Sequence, residues 1–246
     1  MSTPSHIFII PYRNRESQRA EFISKMPAIL DMQIPARDNS ASYQIWIIHQ
    51  ADERLFNRGA LLNIGFREAQ ARYPETWPGI QFVFHDIDIM PTRAGILDYN
   101  TSLGKARHPY GDPRPQWGGI LGCFCIIMGA DYAKAGGSPN YFGWGGEDVA
   151  LSRRCQAQGI IIDEHDFIMR RSCLADIIDP ESNPTPKQQA FCQLCDRRNL
   201  AQVFGENPAC PANNYRNLDY KIIRELDFGI TTGNIRQLDC QFEVHG

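Results

Sequence analysis

Short apolar runs of strand length alternate with segments of helical periodicity over the first 165 residues. The strand-like runs cover residues 6–11, 43–49, 80–85, 120–128 and 160–162, and the helical segments cover 13–30, 57–73, 131–135 and 147–158. Continuous apolar strands are typical of a parallel sheet that is buried on both faces. The alternation therefore predicts an α/β fold in a single domain, 1–246, with a mostly parallel sheet and helices on both faces.

Charge and hydropathy exclude several classes of protein. The 25 Lys and Arg residues against 28 Asp and Glu give a net charge of −3, and the basic residues are scattered, which argues against a nucleic-acid partner. No apolar run approaches the roughly 20 residues that a membrane span requires. The amino terminus shows no secretory signal, so this pattern predicts a cytoplasmic protein without a membrane span.

The ends of the predicted strands hold the first candidate site residues. Ligands of parallel α/β sheets bind at the carboxyl ends of the strands. Asp86 and Asp88 follow the third strand, and such a pair attracts a divalent ion that can bridge a diphosphate; the alternative is a solvated turn. Arg13 and Arg15 follow the first strand and suit phosphate oxygens, with Tyr12 beside them as a face for a base; the alternative is a surface turn.

The segment 142–148, Phe-Gly-Trp-Gly-Gly-Glu-Asp, is the least ordinary part of the chain. Its glycines permit a close approach of the backbone, and Trp144 offers an apolar platform for a sugar face. Glu147 and Asp148 open a predicted helix, where the helix amino terminus stabilises a carboxylate as the anion. Such a carboxylate is available as a proton acceptor, whereas the plainer interpretation is an acidic helix cap after a glycine loop.

The cysteines leave two interpretations open. Four of the eight, Cys173, Cys192, Cys195 and Cys210, have a spacing with one C-x-x-C pair that could supply zinc ligands. The chain has no second C-x-x-C pair, and reduced thiols are the alternative.

Five ordered motifs together resemble the β-1,4-galactosyltransferase family. They are Ile-Ile-Pro-Tyr-Arg-Asn-Arg at 9–15, Phe-Asn-Arg-Gly-Ala-Leu-Leu-Asn-Ile-Gly-Phe at 56–66, His-Asp-Ile-Asp-Ile-Met-Pro at 85–91, Trp-Gly-Gly at 117–119 and Gly-Trp-Gly-Gly-Glu-Asp at 143–148. The resemblance is dense from residue 6 to about 165. It implies a Rossmann-like fold of the GT-A type and inverting transfer of a sugar from a UDP donor to an acceptor hydroxyl, usually with Mn²⁺.

The resemblance also implies a role for each matching residue. Asp148 would be the general base, Glu147 would bind hydroxyls of the donor sugar beside it, and Asp88 would ligate the metal. The full set of implied donor-binding residues is Pro11, Tyr12, Arg13, Arg15, Phe56, Arg58, Asp86, Ile87, Asp88, Gly119, Trp144 and Glu147.

The chain departs from the family at its metal site. The family usually completes this site with a histidine about thirty residues after the Gly-Glu-Asp motif, but no histidine stands between positions 165 and 245. Asp179 or Asp176 could supply a hard oxygen ligand instead, and Arg170 or Arg171 could neutralise the leaving diphosphate without metal. We expect Mn²⁺ to be used, with Asp88 and Asp179 as its ligands.

The resemblance leaves the substrates open. Gln116 occupies a position where family members that transfer galactose commonly have an aromatic residue, so the donor sugar is galactose, N-acetylgalactosamine or glucose. The acceptor would be a glycan or glycoconjugate. Two other functions remain possible at this point: a nucleotide-sugar or carbohydrate-binding protein that has lost catalysis, and an enzyme of nucleotidyl or phosphoryl transfer.

The proline-rich, aperiodic segment 169–191 is the candidate for a mobile lid that closes over bound donor. The alternative is a disordered connection. Animal relatives are anchored in the Golgi by an amino-terminal span, so the chain is either a bacterial or viral enzyme or a catalytic fragment of a Golgi enzyme.

Overall fold

The computed structural model describes residues 3–35, 42–111, 120–143, 145–169, 174–176, 201–203, 205–229 and 234–245. The described helices are α1 (Glu16–Gln33), α2 (Arg58–Arg72), α3 (Gly129–Lys134) and α4 (Glu147–Ala157). The described strands are β1 (His6–Tyr12), β2 (Tyr43–Gln50), β3 (Gln81–His85), β4 (Ile89–Pro91), β5 (Lys105–Arg107), β6 (Tyr110–Gly111), β7 (Phe124–Met128), β8 (Ile161–Asp163), β9 (Ile168–Met169), β10 (Leu174–Asp176), β11 (Leu218–Asp227) and β12 (Asn234–Val244).

One eight-stranded sheet organises the described residues, in the order β11-β12-β2-β1-β3-β7-β5-β8. The four central strands β12, β2, β1 and β3 are parallel, and so are β5 and β8. β7 runs antiparallel between β3 and β5, and β11 runs antiparallel beside β12. The predicted α/β fold with a mostly parallel sheet is confirmed.

The side chains of β1 alternate between two apolar layers. Ile7 and Ile9 belong to a core that also contains α2, whereas Phe8 and Ile10 belong to a second core beneath α1. All four side chains are fully buried, as expected for a central strand covered on both faces. The helices therefore cover both faces of the sheet, as the sequence predicts.

The apolar run at 120–128 forms a strand only from Phe124 onward. Cys123 has a φ of 62°, which interrupts the extended backbone just before β7 begins. The segment 120–123 is consequently a loop that leads into β7. A strand over the whole run was a wrong prediction, because hydropathy alone does not report this local backbone conformation.

Part of the predicted lid forms a strand. Within 169–191, β10 pairs with β4 so that Asp176 lies opposite Ile89 in register. β4 begins directly after the Asp-Ile-Asp motif, so this pairing brings the chain after residue 173 close to that motif. Met169 ends β9, residues 170–173 and 177–191 lie outside the described residues, and closure of the lid stays a prediction.

Gly59 sits where α2 meets the loop at 138–140. A Cβ at this position would stand 1.9 Å from the carbonyl oxygen of Pro139. We expect Gly59→Ala to lower the free energy of unfolding by roughly 1–3 kcal/mol, because the backbone must shift to admit the methyl group. Gly79→Ala is the matched control, since nothing lies within 4 Å of its added Cβ. Urea unfolding of both variants checks this, and equal midpoints would contradict it.

Candidate active site

The turn after β1 directs two arginines to neighbouring loops. Asn14 adopts a φ of 52°, in the left-handed region that asparagine tolerates better than most residues. Arg13 donates to the carbonyl oxygens of Asp52 (3.3 Å) and Arg54, and its guanidinium lies 5.4 Å from the centre of the Phe56 ring. This anchoring fixes one wall of a cleft between the ends of β1 and β2.

The carboxylates of the Asp-Ile-Asp motif each bind a different arginine. Asp86 Oδ1 accepts from Arg58 Nε at 2.8 Å, and Asp88 Oδ2 accepts from Arg15 Nη1 at 2.5 Å. Burial raises the pKa of Asp88, the negative charge of Asp86 raises it further, and Arg15 opposes the shift. The motif is therefore a site of crowded negative charge at the end of β3.

These side chains line one cleft of about 300 Å³. Its lining residues come from the first three motifs, and they are Pro11, Arg13, Asn14, Arg15, Phe56, Arg58, Asp86, Ile87 and Asp88. The cleft thus combines three guanidinium groups with two carboxylates and an aromatic ring. Such a set suits a phosphorylated ligand that also carries a flat ring.

Arg58 joins this cleft to the Gly-Glu-Asp motif. Its Nη1 lies 3.9 Å from Glu147 Oε1, while its Nε binds Asp86. Burial alone would lower the pKa of Arg58, but the charges of Asp86 and Glu147 raise it above the ordinary value. Its Nη2 is buried and has no hydrogen-bond partner among the described residues. That nitrogen is an unused donor at the junction of the two motifs.

The glycine loop before α4 is tethered beside the cleft. Gly143 N–H donates to the carbonyl oxygen of Phe56 at 2.9 Å. Gly143, Gly145 and Gly146 all have φ between 91° and 95°, a conformation that explains the choice of glycine at these positions. The loop then enters α4 at Glu147, so both acidic residues occupy its first turn.

A buried network of amide side chains joins α2 to the loop at 138–140, which leads into the glycine loop. Asn57 caps α2 by accepting from Ala60 N–H at 2.9 Å, and it donates to the carbonyl oxygen of Asn140 at 3.1 Å. Asn63 donates to the carbonyl oxygen of Ser138 at 2.7 Å and to the side-chain oxygen of Asn140 at 2.9 Å. Satisfied networks of this kind specify one arrangement, so the loop is fixed relative to Arg58.

Asp148 is half-buried next to the loop at 120–123. Its Oδ1 accepts from Val149 N–H at 2.8 Å, and its backbone carbonyl accepts from Leu121 N–H at 3.4 Å. A Cβ built on Gly122 would stand 2.7 Å from Asp148 Oδ2, so a side chain at this position would displace the carboxylate. Gly122 was not among the predicted site residues, because its role comes from a contact between distant parts of the chain.

The side chain of Tyr12 packs against two neighbouring residues. Its side chain is 2% exposed, with the Arg19 guanidinium 4.9 Å from its ring centre and the His49 ring 5.1 Å away. The ring is therefore covered in the structure, and the prediction that Tyr12 stacks on a base stays a prediction. Asn14 also lines the cleft, but it was not among the predicted site residues. The available signal was an asparagine between two arginines, because asparagine tolerates the left-handed conformation of a turn.

Several predicted site residues lie outside the part of the chain that the structure describes. They are Gly119, Trp144 and Asp179, together with Cys173, Cys192 and Cys195 of the predicted zinc site. Cys210, the fourth cysteine of that set, is an exposed free thiol. The roles of these residues stay predictions.

The described residues supply only part of a metal site. They contain no group of three or more His, Cys, Asp or Glu side chains that could hold a metal ion. Asp88 nevertheless offers a carboxylate with a raised pKa beside a second acidic group, and a divalent cation would relieve that repulsion. Because Mg²⁺-like cations are commonly held by one or two carboxylates plus phosphates of the substrate, Asp88 fits a cation that arrives with a diphosphate.

Two family models match adjoining parts of the chain. Residues 2–99 match the N-terminal region of glycosyl transferase group 7, and residues 106–174 match the N-terminal domain of galactosyltransferase. Human β-1,4-galactosyltransferase 4 is 33% identical over 155 residues, covering 61% of this chain and 42% of the human protein. Mouse β-1,4-galactosyltransferase 1 is 29% identical over 207 residues, covering 81% of this chain and 48% of the mouse protein. The chain thus spans about half the length of these relatives.

Solved structures show the same fold over nearly the whole chain. The catalytic domain of Drosophila β-1,4-galactosyltransferase 7 in complex with xylobiose has a TM-score of 0.71 at 20% identity, covering 98% of this chain and 95% of that one. A mutant of the same Drosophila protein, in complex with manganese, UDP-Gal and xylobiose, has a TM-score of 0.74 at 19% identity and the same coverage. The fold is that of the GT-A glycosyltransferases. With the two family models, the chain belongs to the β-1,4-galactosyltransferase family.

None of the described helices combines the length and the apolar character that crossing a bilayer requires.

The acidic pair at the start of α4 is expected to make the free energy of unfolding depend on pH. Burial raises the pKa of Glu147 to about 7, and the charge of Asp148 adds to the shift. Between pH 4.5 and 7 the folded chain keeps a proton that the unfolded chain loses, so the contribution of Glu147 to stability falls as pH rises through this window. We expect Glu147→Gln to remove this loss and to gain roughly 2–3 kcal/mol at about pH 8 relative to about pH 5.

Urea unfolding at both pH values checks this expectation. Glu75→Gln is the control, because Glu75 is an exposed glutamate remote from the site in sequence. A pH-independent difference between Glu147→Gln and the parent chain would contradict it.

Proposed function

We propose that the chain is an inverting glycosyltransferase that moves a hexose or N-acetylhexosamine, galactose first among them, from a UDP donor to an acceptor sugar hydroxyl, forming a β-1,4 linkage. The observation that carries the proposal is the bridge of Arg58 between Asp86 and Glu147. This bridge places an anion-binding cleft beside the first turn of α4. In the proposed enzyme, a donor in this cleft would therefore lie next to the general base.

The cleft suits the nucleotide part of such a donor. Arg13, Arg15 and Arg58 carry positive charge toward a diphosphate, and the ring of Phe56 can pack against the uracil base. The unpartnered Nη2 of Arg58 remains available for an oxygen of the donor. Binding of the UDP-sugar would therefore give this buried N–H group the hydrogen-bond acceptor that the described residues do not supply.

Asp148 is suited to accept the proton of the acceptor. The acceptor oxygen forms a bond to the anomeric carbon on the face opposite UDP, the bond from that carbon to the diphosphate breaks, and the hydroxyl proton passes to Asp148. UDP leaves with the electron pair of the broken bond. Asp148 keeps Oδ2 free of hydrogen-bond partners in the described residues, while Oδ1 is held by Val149 N–H. Glu147 beside it would bind donor hydroxyls.

Mn²⁺ is the cofactor that we propose, with Asp88 as its ligand from the described residues and Asp179 as a further ligand. When bound, the cation would neutralise charge on the departing diphosphate. Arg15, which lines the same cleft and binds Asp88, would add positive charge to the same end. The complex of the Drosophila structure with manganese and UDP-Gal supports this choice of cofactor and donor.

A sugar is the proposed acceptor, because the two Drosophila structures hold xylobiose. Incubation with a panel of UDP-sugars and sugar acceptors, with and without Mn²⁺, tests the function by the release of UDP. Turnover of one donor with a glycosylated product supports it. Binding without turnover would indicate a nucleotide-sugar-binding protein, and a phosphate product in place of UDP would indicate nucleotidyl or phosphoryl transfer.

We expect Asp148→Asn to lower kcat by about 100-fold or more while the Kd for UDP-sugar stays within about threefold, because the amide cannot accept the proton. Calorimetric binding of the donor and steady-state UDP release measure the two quantities. Asp219→Asn, an exposed aspartate on β11, is the matched control and should keep parental kcat. A fully active Asp148→Asn variant would show that another group is the base.

Asp88→Asn should raise the Mn²⁺ concentration for half-maximal activity by about tenfold or more, since a neutral amide is a poorer ligand than a carboxylate. Free Mn²⁺ measured by electron paramagnetic resonance during titration of the protein with UDP gives the affinity directly. The same Asp219→Asn control should leave this affinity unchanged. An unaltered Mn²⁺ affinity in Asp88→Asn would remove Asp88 from the metal site.

A further inference from the structure

His108 lies fully buried between two loops at the edge of the sheet. It follows β5, and its backbone N–H donates to the carbonyl oxygen of Asp163 at 2.9 Å. Its Nδ1 lies 2.9 Å from Glu164 Oε1, and its Nε2 lies 3.0 Å from the carbonyl oxygen of Gly122. One imidazole ring thus connects the end of β8 to the loop that precedes β7.

Both ring nitrogens of His108 face oxygen acceptors. A carbonyl oxygen never donates, and an ionised carboxylate accepts only, so both bonds form together when both nitrogens carry protons. The ring is further packed between the Phe167 ring, with centres 5.0 Å apart, and Gly111, where a Cβ would stand 2.9 Å from Nε2. His108 is therefore held in one orientation, and its Nε2 is directed at one carbonyl.

His108 binds the carbonyl oxygen of Gly122, and Gly122 lies against the carboxylate of Asp148. Gly122 packs directly against this carboxylate, because a Cβ there would stand 2.7 Å from Asp148 Oδ2. The backbone of the adjacent Leu121 donates to the carbonyl oxygen of Asp148 at 3.4 Å. The next residue, Cys123, has a φ of 62°, a costly conformation that persists only where neighbouring contacts enforce it. The hydrogen bond from His108 to Gly122 is one such contact.

We propose that His108 is a positioning residue for the transfer reaction: through the carbonyl of Gly122 it sets the place of the Asp148 carboxylate. The inference rests on the proposed function, in which Asp148 is the general base. His108 itself does not touch substrate in this account. Loss of its bond leaves the Gly122 carbonyl with Phe124 N–H alone, at 2.6 Å. The loop at 120–123 then shifts and lets the carboxylate leave its position for proton transfer, so kcat falls while donor binding is kept.

Two substitutions of His108 separate this role from simple packing. The amide nitrogen of glutamine can reach the place of Nε2, whereas an asparagine amide reaches only the place of Nδ1. His108→Gln therefore keeps a donor for Gly122, and His108→Asn keeps a contact with Glu164 alone. Both variants lose the aromatic ring and its packing against Phe167, so a purely structural effect would be shared by both.

We expect His108→Asn to lower kcat by about tenfold or more, and His108→Gln to stay within about threefold of the parent, with KM for UDP-sugar unchanged in both. Equal kcat in the two variants, or a rise in KM that accounts for the loss, would overturn the inference. Thermal unfolding accompanies the kinetics. If His108→Asn proves unstable, Gly122→Ala carries the test, because its methyl group pushes directly on Asp148; parental kcat in that variant would overturn the inference.

Asp148→Asn is measured in the same series to separate the two proposals. If Asp148→Asn is inactive while His108→Asn and His108→Gln behave alike, the general base stands and the positioning role is wrong. If Asp148→Asn is fully active, the assignment of the base is wrong, and the positioning role falls with it.

Discussion

The ion bridge from Asp86 through Arg58 to Glu147 is the interaction on which the site depends. A guanidinium that is removed from water is costly unless carboxylates surround it, and here two of them do so from different motifs. One carboxylate stands after β3 and the other at the start of α4. The bridge therefore couples the anion-binding end of the sheet to the acidic helix, with Asp86 as the near partner of Arg58 at 2.8 Å and Glu147 as the more distant one at 3.9 Å.

Backbone and amide contacts hold the residues of this bridge in place without a ligand. Asn57 caps α2 and binds the loop at 138–140, so Arg58 leaves the helix at a fixed place. Gly59 lets that loop approach the helix backbone more closely than any other residue would allow. Gly143 is in turn bonded to Phe56. The geometry of the cleft is thus set by backbone and amide contacts, while the charged groups occupy positions that this framework has already fixed.

Sequence patterns predicted what depends on local periodicity and order. The apolar alternation gave the strands and helices, and the position of Asp86 and Asp88 after a strand placed them at the correct end of the sheet. Contacts between distant segments could not be obtained in this way. The packing of Arg19 and His49 against the Tyr12 ring is one such contact, since it joins β1 to α1 and β2. Gly122 could not be identified as a site residue from the sequence, because its contact is with Asp148, which is distant in sequence.

The charges of the cleft also explain how a diphosphate and a cation can enter together. Arg15 and Asp88 neutralise each other in the structure, so neither charge is left unpaired beside buried groups. In the proposed reaction a diphosphate would take Arg15 as its partner and a cation would take Asp88. Either ligand alone would leave Arg15 or Asp88 without an ionic partner. Both ligands together would replace the one ion pair between Arg15 and Asp88 by two. Binding of nucleotide and of metal is therefore expected to be mutually reinforcing, and linkage makes the effect of each ligand on the affinity of the other equal.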